Sequence, residues 1–461
     1  MERTNSFAEH YLLRHSVTDK IQISPNKHLR FIIVIPSFDE PALIQTLQSL
    51  WLCKRPASAV EIIVVINSPD HTDNGIFERN QKSFIEALAW AKKNNENGFT
   101  CHILNEPHLP VHEAGPGFAR KIGMDQAILR FNALNRPDGI IISFDADSLC
   151  RSDYLQEIEK CFNQFPDTLG GTIYFEHPVT GKEFSEVVYN AVTEYELHLR
   201  YTISALRHVH FPYAYHTVGS CFCVTASTYV NQGGMNKRKG GEDFYFLQKI
   251  IPLGHFREIN GTCVYPSPRP SERAPFGTGA VIKKFAEGKI SNVETYHPDS
   301  FEILRELFSG LSSWFRLSEA QINEKTKKLP EIITEFTGAE FQSKILEINN
   351  NSSSPDTFIK RFYQWFNMFR VIKFLNFAHQ KDFSRVPVRL AAMELLDKLG
   401  HGALKSMDSG ESWYEPHQNA DTQKPGDRSF NNMDTKELLE YFRKLQKGEQ
   451  WSGLESIFNR R

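Results

Sequence analysis

Apolar positions along the 461-residue chain follow two rhythms. Short continuous runs stand at Phe31–Pro36, Glu61–Asn67, Thr100–Glu106 and Gly139–Asp145. All but Thr100–Glu106 are rich in Ile or Val, which suits strands buried on both faces of a parallel sheet. Between them the spacing becomes helical: from Pro41 through Leu43, Leu47 and Leu50, over Ile76–Asn94 with Phe77, Phe84, Leu88 and Ala91, and over Ala119–Leu134. The order β-α-β-α-β-α-β predicts an α/β fold, a Rossmann-like, mostly parallel mixed sheet with helices on both faces.

The pattern continues with a helix at Asp153–Phe165 and a strand at Gly171–Phe175. A long amphipathic helix follows at Phe184–Arg207, with Val188, Val192, Tyr195, Leu199 and Ile203 on one face, and then a strand at Thr217–Thr225. Gly240-Gly241-Glu242-Asp243 opens a helix running to about Ile250, and Thr262–Tyr265 is a short strand before a loop rich in Pro, Ser, Arg and Gly. From about Asp299 the text is helical and aromatic, broken at Asn349–Pro355 and Ser406–Asn432. Three segments are expected: an N-terminal helical arm over 1–29, a catalytic α/β domain over 30–285, and a helical accessory region over 286–461. In the last, Phe362, Trp365, Phe366 and Phe369 are expected to pack as core on the catalytic domain or to pair subunits in a homo-oligomer; the sharper reading is a platform of aromatic faces for an acceptor.

Lys and Arg number 53 against 55 Asp and Glu. Nucleic-acid binders carry a basic excess, so no nucleic-acid partner is expected. No apolar run approaches the ~20 residues that cross a bilayer, and Met1–Ser6 has no apolar stretch of a signal peptide. The seven cysteines lack paired CxxC spacing. They read as buried thiols of a reduced, cytoplasmic protein, with no zinc site.

In such sheets ligands bind beyond the carboxyl ends of the strands. Pro36-Ser37-Phe38-Asp39-Glu40, Asn67-Ser68-Pro69-Asp70 and Asp145-Ala146-Asp147 all fall there. Two carboxylates one residue apart at a strand end can share Mg²⁺ or Mn²⁺, which take oxygen ligands and bridge diphosphate oxygens; a plain helix N-cap explains one Asp equally well. Glu242 and Asp243 sit where a carboxylate can accept a proton from a hydroxyl, or where acids merely complement a helix dipole. Gly115-Pro116-Gly117-Phe118-Ala119-Arg120-Lys121 suits phosphate at a helix start, or is a tight turn with solvent-facing cations. Arg269 and Arg273 lie in a Pro/Gly-framed loop and could close over a diphosphate; the bland reading is a solvated linker.

Ile33-Val34-Ile35-Pro36-Ser37-Phe38-Asp39-Glu40 resembles the opening strand of family 2 glycosyltransferases, V-I-P-x-Y/F-N-E, with Asp39 in place of Asn. Asp145-Ala146-Asp147-Ser148 is similar to that family's DxD motif, and Gly233-Gly234 with Gly241-Glu242-Asp243 to its GG…ED signature. The resemblance covers about Arg30 to Phe285. It implies a GT-A fold, a nucleotide-diphospho-sugar donor, a hydroxyl acceptor and Mg²⁺ or Mn²⁺. Carried over, Pro36, Phe38 and Glu40 line the nucleotide pocket, and Asn67 or Asp70 meets the base. Arg120 approaches the donor, Asp145 faces ribose and metal, and Asp147 faces metal and diphosphate. Asp243 is the general base of an inverting transfer, with Glu242 beside it. The family's late metal-binding His has no counterpart in Tyr265-Pro266-Ser267-Pro268-Arg269, and His255 and His297 are candidates by proximity alone.

Two rival activities share the ingredients. One keeps the donor and retains configuration on a small acceptor. The other is a sugar nucleotidyltransferase, which carries a Gly-rich basic signature after strand one, where this chain has Ser37-Phe38-Asp39-Glu40. A non-catalytic binding module is the third reading, and the carboxylates at Asp145, Asp147 and Asp243 speak against it.

Overall fold

The computed structural model describes residues 6–273, 277–408 and 433–448. Phe276 of the arginine loop and nearly all of the polar stretch 406–432 lie outside the described residues. The chain divides into two compact units, and the division cuts it more than once. The first comprises Met1–Phe184 and Tyr215–Lys283, the second Ser185–Ala214 and Lys284–Arg461.

In the first unit a short helix α1 (Glu9–Arg14) precedes β1 (Leu29–Ser37), α2 (Leu43–Trp51), β2 (Ala59–Pro69), α3 (Asn74–Asn94), β3 (Phe99–Leu109), α4 (Pro116–Ala133) and β4 (Ile140–Ser143). Then come β5 (Leu149–Cys150), α5 (Tyr154–Gln164) and β6 (Gly170–Phe175). After α6 (Glu186–His208), which belongs to the second unit, the first resumes with β7 (Phe222–Thr225), α7 (Ala226–Asn231), α8 (Glu242–Ile250) and β8 (Phe256–Tyr265). These strands form one eight-stranded sheet in the order β3-β2-β1-β4-β7-β6-β8-β5. β7 is antiparallel to β4 and β6, and β5 to β8, while the other pairs are parallel. The expected fold class, a mixed and mostly parallel sheet flanked by helices with a helical C-terminal region, is the one observed.

The continuous apolar runs became central strands because both faces are covered: Phe31 to Ile35 and Ile62 to Val65 are all fully buried. β8 extends well beyond the expected Thr262–Tyr265. Its first half meets only β6, so Arg257, Glu258 and Asn260 stay partly exposed and blur the apolar signal. β7 is shorter than Thr217–Thr225, because a turn in which Cys221 N–H donates to Val218 C=O precedes it. Among the described residues of the N-terminal arm, the helix is α1. Beyond it the chain is strapped to α4: Lys20 N–H donates to Gln126 Oε1 (2.8 Å), Gln126 Nε2 to Thr18 C=O (2.8 Å) and Arg130 Nη1 to Ile23 C=O (2.9 Å).

The division between the units after Lys283 falls within α9 (Thr278–Ala286), and in the second unit β9 (Glu294–Thr295) pairs antiparallel with β10 (Val386–Pro387). Helices α10 (Pro298–Ser309), α11 (Glu319–Thr326), α12 (Glu331–Thr337), α13 (Glu340–Asn350), α14 (Pro355–Trp365), α15 (Met368–Lys381), α16 (Val388–Asp408) and α17 (Thr435–Gly448) complete it. The buried stripe of α6 differs from the one read off its apolar residues. Tyr195 and Leu199 are only half-buried, while Glu196 and Arg200 are fully buried. Glu196 accepts from Arg200 Nε and from Arg443 Nε and Nη2, each at 2.8 Å, and Arg200 Nη1 donates to Gln446 (2.5 Å). Buried charges of this kind persist only when paired and hydrogen-bonded. Phe362 and Phe366 are fully buried and stack at 5.8 Å, and Tyr363 is 5% exposed, so this aromatic cluster is core. Trp365 and Phe369 are half-buried at its margin. Among the described residues no helix is long and apolar enough to cross a membrane.

Candidate active site

Because β4 is parallel to β1, its end carries Asp145, Ala146 and Asp147 to the same rim as Pro36–Glu40. The turn is held from three sides. Phe144 N–H donates to Val34 C=O, Ser148 N–H closes onto Asp145 C=O (3.1 Å each), and Thr46 Oγ1 on α2 donates to Ala146 C=O (2.8 Å). β7 runs the opposite way, so its start reaches this rim too, and Ser143 Oγ donates to Gly219 C=O (2.7 Å).

Arg120, on the first turn of α4, is the hub of the acidic side. Its side chain is 2% exposed, yet it pairs with Glu242 and donates Nη2 to Asp145 Oδ1 at 2.6 Å. Burial works against its charge, but Glu242, Asp145 and Asp243 outweigh that and hold its pKa above the ordinary value. The resemblance had Arg120 approaching the donor; here its guanidinium joins the carboxylates of β4 and α8 below the surface. α4 can come this close because residue 117 is glycine. A Cβ there would lie 2.3 Å from Arg238 C=O and 2.9 Å from Glu242 Cβ.

Gly241 caps α8 with φ 68°, a left-handed conformation open to glycine. It aims the next two residues differently. Glu242 is buried on Arg120, and its carbonyl accepts from Asn236 Nδ2 (2.9 Å). Asp243 is half-buried, and its Oδ1 accepts from the Phe244 N–H (2.7 Å). A Cβ at Gly219 would sit 3.1 Å from Asp243 Oδ2. Burial, then repulsion from Glu242, pushes the Asp243 carboxyl up to about 7, with Arg120 opposing and Asp145 adding to the rise.

Arg269 and Arg273 reach this rim from the loop after β8. Glu40, whose side chain is 1% exposed, accepts from Arg269 Nη2 (2.5 Å) and Arg273 Nη1 (2.9 Å). The two guanidiniums also stand 3.6 and 3.5 Å from Asp147 Oδ2. Burial raises the Glu40 pKa, opposed by the Ala42 N–H and Arg269. Asp147 is pushed up to about 7 by burial, then by Glu40 and Asp145, against the pull of Arg269.

Pro36 and Phe38 are half-buried at the rim, and the Phe38 carbonyl accepts from Arg273 (2.9 Å). Asn67 is buried, 3% exposed, and its carbonyl accepts from Asn80 Nδ2 (3.3 Å). Asp70 stands further out, 3.7 Å from His108. Three partners were missed in the sequence. Asn80 also donates to Ser68 Oγ (2.7 Å) and accepts the Asp39 N–H (2.8 Å), joining the ends of β1 and β2. Arg79 chelates Asp39 at 2.6 and 3.0 Å, and Gly219 floors Asp243. Arg79 and Asn80 read as ordinary polar positions of a helix, with no signal to single them out.

Among the described residues no group of three or more His, Cys, Asp or Glu is arranged to hold a metal. His255 pairs with Asp167 (2.6 Å) before β8, at the end opposite the rim, and His297 caps α10 in the second unit. Neither supplies a third ligand. Mg²⁺ is nonetheless commonly held by one or two carboxylates plus substrate phosphates. Asp145 and Asp147 are such a pair, and the repulsion that lifts Asp147 is of the kind a divalent cation relieves. The donor set fits.

No protein-family profile matches the sequence, and no curated protein does. Solved structures do. TarS residues 1–349 of S. aureus in complex with UDP-GlcNAc is 15% identical, over 73% of this chain and 92% of that one, with a TM-score of 0.37. The mannosyltransferase PcManGT of Pyrobaculum calidifontis, in complex with GDP-Man and Mn²⁺, is 11% identical over 96% of this chain and 94% of that one, with a TM-score of 0.31. At these TM-scores the likenesses are shallow.

Proposed function

We propose that the first unit transfers a sugar from a nucleotide-diphospho-sugar to an acceptor hydroxyl, with inversion, as a GT-A-type glycosyltransferase. One observation carries this reading. The rim joins a carboxylate of pKa about 7, Asp243, through Arg120 to Asp145, beside Asp147 and two arginines. Asp243 is poised to take a proton near neutral pH, which is where a general base is most effective. Glu242 is engaged with Arg120 and supports it. Arg269 and Arg273 present guanidinium forks beside Asp147, suited to the oxygens of a leaving diphosphate. Asp145 and Asp147 would hold Mg²⁺ or Mn²⁺, which when bound would neutralise charge on that diphosphate. Glu40 keeps the arginines at the rim, and Pro36 and Phe38 offer half-buried apolar surface to the nucleotide.

A thermal-shift panel of UDP-, GDP- and other nucleotide sugars with Mn²⁺, followed by a donor-hydrolysis assay, tests the proposal. A donor that binds the native state raises the melting temperature. If no nucleotide sugar stabilises the protein or is cleaved, the reading fails. NMR of the product anomer separates inversion from retention, and pyrophosphate release from a nucleoside triphosphate would point to the nucleotidyltransferase instead.

A further inference from the structure

The helix beneath the acid turn carries a second chemistry. α2 places Thr46, Ser49 and, one residue past its cap, Cys53 along one face at helical spacing. Each touches the acid turn or the segment that leaves it. Thr46 Oγ1 holds Ala146 C=O (2.8 Å), Ser49 Oγ accepts the Cys150 N–H (3.0 Å), and Cys53 Sγ stands 3.5 Å from Cys150 Sγ. Lys54 N–H donates to Ser152 C=O (2.7 Å), closing the seam. Cys53 is buried and Cys150 half-buried, both as free thiols.

We propose that Cys53 and Cys150 form a redox-modifiable dithiol, closed to a disulfide by a peroxide, and that closing it displaces the Asp145–Asp147 turn and lowers donor binding. The sulfurs need approach only from 3.5 Å to the about 2.05 Å of a disulfide. The Cys53 thiolate attacks hydrogen peroxide, forming an S–O bond as the O–O bond breaks, which gives a sulfenic acid and hydroxide. The Cys150 sulfur then attacks the Cys53 sulfur and hydroxide leaves; with the thiol proton it becomes water, and both thiols are oxidised by one peroxide. Cys53 is the first to react: the hydrogen bond from Cys150 holds its pKa below the ordinary thiol value against burial, and Arg55 adds to this. Cys150 lies three residues after Asp147, so shortening the sulfur contact pulls on a turn whose carboxylates must stay in place. A displacement near 1 Å in a reacting geometry can cost on the order of 10²-fold in rate.

The consequence for turnover rests on the glycosyltransferase reading; formation of the bond does not. Full-length protein treated with stoichiometric hydrogen peroxide, then alkylated and digested with trypsin, should yield a disulfide joining the peptides that end at Lys54 and Arg151. Donor turnover should fall by on the order of 10- to 100-fold, the donor-induced thermal shift with Mn²⁺ should shrink, and both should return in dithiothreitol. Cys53→Ser and Cys150→Ser should each resist that loss. Absence of the cross-linked peptide from folded wild type overturns the proposal. So does a cross-link that forms while turnover and shift stay unchanged. Were no nucleotide sugar a substrate, the peptide map would still decide whether the pair closes.

Discussion

Arg269 and Glu40 stand 229 residues apart in the chain, yet Arg269 Nη2 meets Glu40 Oε2 at 2.5 Å across the rim. Arg273 meets the same oxygen, so one buried carboxylate anchors both cations of the late loop. Glu40→Gln removes the charge and loosens both. A hydrogen bond to a charged group contributes about 1.5–3 kcal/mol, so affinity for a nucleoside diphosphate should fall by roughly tenfold or more, measured by calorimetry. Unaltered affinity would show that the arginines need no anchor.

Asp243→Asn should lower turnover by about 10²–10⁴-fold while donor affinity stays near wild type. The wild-type pH profile carries the same signature. A base works when deprotonated, so kcat/KM should climb through the Asp243 pKa of about 7 and level off above it. Glu242→Gln should keep an inflection but move it to lower pH, because the repulsion from Glu242 that helps lift Asp243 is gone. Should Glu242→Gln erase it and Asp243→Asn preserve it, the two neighbours have exchanged roles.

Stability should respond to the same substitution with the opposite sense. The folded pKa of Asp243 is raised from 3.8 to about 7. Its effect on stability is therefore neutral below about pH 4, grows unfavourable between about pH 4 and 7, and is constant above that. Asp243→Asn should melt higher than wild type at pH 8, with the gap closing by pH 4. Equal melting temperatures at pH 8 would contradict the raised pKa.

The metal is tested at Asp147, a carboxylate lifted by burial and by the neighbouring Glu40 and Asp145. Asp147→Asn should abolish the Mn²⁺-dependent part of donor binding and leave circular dichroism unchanged. Full activity of wild type in excess chelator would remove the metal from the reaction.

Gly117→Ala probes the approach of α4 to α8. The new methyl would meet the Arg238 carbonyl 2.3 Å away, a backbone atom that cannot swing aside. Overpacking of this kind costs about 1–3 kcal/mol, read as a lower urea midpoint. A midpoint within error of wild type would mean that the contact yields freely.

Much of the first unit was legible from the chain because its signals are local. Ile32 to Ile35 and Ile62 to Val65 announce central strands since both faces need apolar side chains, and Asp145-Ala146-Asp147 is legible as a strand end from its immediate neighbours. Gly241, too, stands out in the sequence because a left-handed helix cap favours glycine. What the sequence could not hold is which charges meet. Arg120 reads as a surface cation at a helix start, but the crossing of α4 over the rim buries it against Glu242 and Asp145. Glu196 and Arg200 interrupt an apolar stripe, and only Arg443 and Gln446, more than 240 residues on, make that interruption a buried network. The split pair at the site follows the same rule. Glu242 and Asp243 are adjacent acids in sequence, and tertiary packing alone gives one to Arg120 and leaves the other with a pKa near neutrality. Apolar pattern is a property of neighbours along the chain, whereas pairing and desolvation of charge depend on distances that exist only once the chain has folded.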